Sequence, residues 1–132
     1  MSILGSQAVT KQWLSRNGFK KDGWGSPYTR RMYDTTCYVR QVDVTEYSSI
    51  EIIFFPKGFE GYVTAFHMGH IASGKSMLEH DHVMILGHYW DALHAPFIKV
   101  DDVNDIIIFF NQEVDKLSDW HREEIRNKVK WT

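Results

Sequence analysis

The sequence has one cysteine, three prolines and little excess charge of either sign, with a formal net charge of -2 over 132 residues. A lone Cys37 can neither close an internal disulfide nor build a multi-thiolate zinc site, and this points to a reducing, cytoplasmic setting. The longest apolar runs are Ile106-Ile107-Ile108-Phe109-Phe110 and Ile52-Ile53-Phe54-Phe55. Both fall far short of the roughly 20 residues that span a bilayer. Met1-Ser2-Ile3-Leu4-Gly5-Ser6 lacks a basic head before an apolar stretch, so no secretory leader is expected. The length suits a single domain, residues 1–132, with one hydrophobic core.

Charge is present but unevenly placed. Residues 1–40 hold seven Lys and Arg against two Asp and Glu, a surplus of +5. Residues 41–115 come to -9 and residues 116–132 to +2. Such a chain can steer a charged partner unless the fold sets the basic ends beside the acidic middle.

Periodicity predicts a first helix over Gln7–Asn17, with Ser6 as cap and Asn17-Gly18 as terminator. Phe19 is placed to fold back on its last turn. Lys20-Lys21-Asp22-Gly23-Trp24-Gly25-Ser26-Pro27 reads as a loop. Strand character follows over 32–42, 49–55 and 61–68, and a fourth strand is expected over 77–86, paired with the third through Ser73-Gly74-Lys75. Short connections favour antiparallel pairing. Residues 87–99 carry no clear signal.

Asp101-Asp102 opens the clearest helix, with Val103, Ile106, Ile107, Phe110 and Val114 as its apolar stripe and Ile108 and Phe109 off it. A last helix is expected over 118–130, along Leu117, His121, Ile125 and Val129. Because no Gly or Pro interrupts 97–132, the two helices could equally be one. The predicted fold is α+β: an antiparallel sheet of three to four strands, an N-terminal helix and one or two C-terminal helices packed on one face.

Two motifs suggest chemistry. Gly69-His70-Ile71-Ala72-Ser73-Gly74-Lys75-Ser76 satisfies GxxxxGK[ST], the formula of a loop whose amides, lysine and hydroxyl hold phosphate and magnesium. The following residues make a weak helix start, so Gly69, Gly74, Lys75 and Ser76 read as a hairpin turn before they read as a phosphate site. Histidines cluster between His67 and His88, and His80-Asp81-His82 on a strand would turn two imidazoles to one face. With His67 they would suit a divalent transition metal. Gly74, His80 and His82 resemble the opening of the cupin metal motif over nine residues, although the expected Glu after His82 is missing. An outward-facing polar hairpin accounts for the same histidines. Cys37 in an apolar strand reads as a packing residue rather than a nucleophile.

Lys20, Lys21 and Trp24, followed by Tyr28-Thr29-Arg30-Arg31-Met32-Tyr33, mix basic and aromatic side chains as single-strand nucleic-acid binders do. The near-neutral whole disfavours that partner. Trp24, Trp90, Trp120 and Trp131 fall in expected loops or on polar helices, where aromatic rings commonly anchor protein interfaces.

Trp13-Leu14-Ser15-Arg16-Asn17-Gly18-Phe19-Lys20-Lys21, the short strands after it and Phe97-Ile98-Lys99-Val100-Asp101-Asp102-Val103 before a late helix resemble, in layout, small α+β proteins of bacteria and their phages. Those proteins share no agreed activity, so the resemblance implies an intracellular accessory or inhibitory protein and no catalytic residues. The expectation is a non-enzymatic binding protein. Its partner surface is expected at Trp24, Ile108, Phe109, Trp120 and Trp131, with a protein partner or further copies of itself as occupant. A histidine metalloenzyme stands as the alternative.

Overall fold

The computed structural model describes residues 7–22, 37–46, 48–57, 60–61, 76–77, 80–87 and 97–132. Helix α1 spans Lys11–Arg16, shorter than periodicity predicts. Thr10 caps it: its hydroxyl accepts the Trp13 N–H at 3.1 Å. Ser6, the expected cap, lies outside the described residues. Gln7 is excluded from the helix because its carbonyl accepts the Val103 N–H at 2.9 Å, tying the entry of the chain to the start of a later helix.

The end of α1 follows from local chemistry. Gly18 takes the left-handed conformation, φ +84°, that side chains with a Cβ avoid. Its N–H then bonds the Ser15 carbonyl at 3.1 Å, and the Phe19 N–H bonds that of Leu14 at 2.9 Å. This is a Schellman turn, completed by apolar contact between Phe19 and Trp13, ring centroids 6.1 Å apart. The turn delivers Lys20–Asp22 directly into strand β1, where the sequence reads as loop.

Strand β2 is Cys37–Thr45, β3 Ser48–Phe55, β4 Glu60–Gly61, β5 Ser76–Met77, β6 Asp81–Gly87 and β7 Phe97–Val100. Five of them form one antiparallel sheet in the order β1-β2-β3-β6-β7. This is one strand more than the largest number expected, and β7 falls largely in the stretch without a signal. The expected fourth strand is divided: β5 pairs with β4 in a separate two-stranded ladder, while β6 pairs with β3. Of the expected third strand only Gly61 is described, and residues 32–36 of the first also lie outside the described set.

Helix α2 spans Val103–Asp115 and α3 spans Asp119–Lys128, so the C-terminal region is two helices. Asp102 and Asp105 form a capping box at the start of α2, as the acidic pair suggests. Between the helices the Leu117 N–H closes on the Val114 carbonyl at 3.0 Å, and Ser118 is extended. The break is tertiary in origin. α2 lies against β6 and β7, whereas α3 reaches β2, where Lys128 Nζ donates to the carbonyls of Asp43 and Val44 at 3.2 and 2.8 Å.

Strand alternation sorts the core. Tyr38, Val44, Ile50, Ile52, Phe54, Val83, Ile85 and Val100 face the helices and join Trp13, Leu14, Ile106, Phe110 and Ile125 in one cluster. Cys37, Ile53, Phe55 and Met84 occupy the opposite face and are equally buried, at 0 to 1% exposure. The centre of the sheet is therefore covered on both sides, which explains the unbroken apolar run Ile52-Ile53-Phe54-Phe55.

One cluster fastens the two ends of this fold. Trp131 stacks on Trp13 at 5.8 Å with the rings 9° from parallel, and meets the edge of Phe110 at 5.5 Å. Beside it Asn17, the buried polar residue among those described, donates to the Trp13 carbonyl at 2.9 Å and the Thr132 carbonyl at 3.2 Å. Its Oδ1 accepts the Thr132 N–H at 2.7 Å. Asn17→Ala leaves these groups unpaired and is expected to lower unfolding free energy by about 2 kcal/mol. Trp131→Ala is expected to cost about 3 kcal/mol. Gly18→Ala should cost about 1 kcal/mol from its φ alone, because the added Cβ meets the Arg40 side chain at an ordinary 3.5 Å. Urea denaturation measures all three.

Candidate functional site

The expected partner residues separate into two groups. Phe109 is buried, at 3% exposure, and does not lie on the surface. At 100° per residue it sits about 60° to one side of Ile106, with Phe110, Val103, Val114 and Ile107 spread to the other. The buried arc of α2 is thus about 160° wide, and the narrower stripe read from sequence missed its near margin. Phe109 is thus a correction to the expected surface. Trp131 is half-buried, with its ring packed against the cluster above.

Ile108 and Trp120 remain outside. Ile108 is two positions from both Ile106 and Phe110, hence about 200° round α2 from the first, and is 53% exposed. Trp120 lies in the first turn of α3, about 140° from the buried Ile125, and is 54% exposed. Its ring meets His121 edge-on at 4.9 Å, and His121 Nδ1 lies 2.8 Å from the Ser118 hydroxyl. The first turn of α3 is further held by the Arg122–Asp119 pair, and Arg126 reaches the Asp115 carboxylate on α2. Trp24 lies outside the described residues.

The histidine reading meets a different geometry. His80 precedes β6, which begins at Asp81, so the two imidazoles are not alternate residues of one strand. His82 Nδ1 is 2.8 Å from the His80 carbonyl, an acceptor, which places a proton on that nitrogen. Asp81 Oδ1 accepts the Lys57 N–H at 2.8 Å. Among the described residues no three His, Cys, Asp or Glu side chains come together as metal ligands would, and His67 lies outside them.

Ser76 begins β5 in an antiparallel ladder, whereas a phosphate loop needs a helix to start there. Gly69, Gly74 and Lys75 lie outside the described residues. Cys37 is fully buried in β2 and packs within the sheet, as expected of a lone cysteine in an apolar strand. No described helix is long and apolar enough to cross a membrane.

Two features escaped the sequence. Arg40 projects from the helix-facing side of β2, its guanidinium carbon 4.9 Å from the centre of the Trp131 ring. Its Nη1 is buried without a hydrogen-bond partner, and desolvation by burial holds the group below the ordinary arginine pKa. The second is an open groove of about 430 Å³, lined among the described residues by Lys11, Ser15, Phe19, Lys20, Lys21 and Tyr38. The basic pair Lys20-Lys21 is visible in sequence. Its approach to Lys11 depends on the Gly18 turn and is not.

The chain matches no family model, no curated protein and no solved structure. Because the Arg40 ring contact is offset by one unpaired buried N–H, Arg40→Met should change stability by less than about 1 kcal/mol, measured by urea denaturation against wild type.

Proposed function

We propose that this protein is a non-enzymatic binding protein acting through the outer faces of α2 and α3. The observation that carries the reading is the exposure of Ile108 and Trp120, while every other large apolar side chain of α2 and α3 is buried or half-buried. Scattered single apolar residues are ordinary on a surface, but a tryptophan more than half exposed is the residue type most concentrated at binding hot spots. Trp120 is also presented on a turn held by an ion pair, which lowers the ordering cost of binding. The lone buried Cys37 is in keeping with a reducing compartment.

A second copy of the chain is the first occupant to test. Sedimentation across a concentration series should show a dimer or larger species. Ile108→Asp and Trp120→Asp should each weaken self-association by at least roughly tenfold. Because both side chains point outward, stability should stay within about 0.5 kcal/mol of wild type. A monomer at every concentration, indifferent to both substitutions, counts against the reading.

A further inference from the structure

The basic surplus of residues 1–40 acquires a shape in the fold. Lys11 opens α1, Ser15 lies one turn further on, and Lys20 and Lys21 belong to β1. With Phe19 and Tyr38 they bound the 430 Å³ groove. All three lysines are exposed. None forms an ion pair with a described residue, although Lys99, Lys116, Arg122 and Arg126 each meet a carboxylate. Strand alternation puts Lys21 on the side of Tyr38 and Phe19, towards α1, and Lys20 on the other face of β1, so Lys11 and Lys21 are the two unneutralised cations on the groove's side, and they raise its positive potential.

The chemistry of the lining narrows the ligand. Among the described residues the lining offers lysines and no carboxylate, which favours an anion over a metal cation. Lys11, Lys21 and the Ser15 hydroxyl supply donors for a group with several charged oxygens. The volume falls in the range of small-ligand sites.

We infer that this groove binds the phosphate of a nucleotide, either free or within single-stranded nucleic acid. The site is independent of the α2 and α3 surface, so failure of one reading leaves the other standing.

The test is calorimetric titration of the intact chain with ADP, with an eight-nucleotide oligothymidylate and with a polyglutamate peptide. Wild type is compared with the triple variant Lys11→Ala, Lys20→Ala, Lys21→Ala, and Lys116→Ala serves as the control. The triple variant should bind at least roughly tenfold more weakly with its thermal midpoint unchanged, and Lys116→Ala should match wild type. Lys21→Glu repeats the test with one substitution. An oligothymidylate that binds more tightly than ADP assigns the site to single strands. Its affinity should then fall about sevenfold between 50 and 200 mM salt, as two neutralised phosphates require. An oligothymidylate no tighter than ADP assigns the site to the free nucleotide. Binding of polyglutamate in place of both, binding indifferent to the lysines, or no binding at millimolar ligand overturns the inference.

Discussion

The fold depends on the junction where Asn17 and Trp131 join the first helix to the last residues of the chain. A helix of six residues has no independent stability in water, and α1 persists because tertiary contacts hold it. Trp13 and Leu14 are buried beneath it, Phe19 closes its C-terminal turn, and Trp131 stacks on Trp13. Asn17 secures the arrangement with bonds that any apolar residue would forfeit, linking Trp13 to Thr132. In a low-dielectric surrounding such a network is worth keeping only when every member is paired, and here both ends of the amide are. The same junction carries Arg40, whose cation lies against the Trp131 ring instead of a carboxylate.

This junction also explains the position of the surfaces. Because α1 ends in a left-handed glycine, the chain turns straight into β1 and brings Lys20 and Lys21 beside Lys11. Because residues 131–132 return to α1, α3 must cross to β2 while α2 stays over β6 and β7. The helices spend most of their apolar side chains on the sheet. What remains outside on α2 and α3 is the pair Ile108 and Trp120. Among the described residues the exposed large apolar side chains, Ile108 and Trp120, and the exposed Lys11, Lys20 and Lys21 thus lie on different elements.

Sequence and structure agree where a short-range interaction decides the outcome. Asp102 at a helix start, Gly18 at a helix end and Phe19 folding back each rest on contacts within a few residues. The central strand β3 was equally clear, since its β-branched and aromatic residues alternate without interruption. Misreadings arose where distant partners intervene. Gln7 to Val9 are compatible with helix but are drawn off by Val103. Lys20 to Asp22 are unremarkable as a strand until β2 lies alongside. Phe109 could face either way until a sheet is set against α2.

The sequence by itself determined the class of fold, the Gly18 end of α1, the Asp102 start of α2 and most residues fit to be buried, because each is settled by periodicity or by bonds between near neighbours. It also ruled out an internal disulfide and a membrane-spanning apolar run. Tertiary structure alone decided the order of the strands, the break between α2 and α3, and which apolar side chains stay exposed. Those outcomes depend on pairing and packing between segments far apart in the chain, where many arrangements satisfy the same local pattern and only the assembled core selects among them.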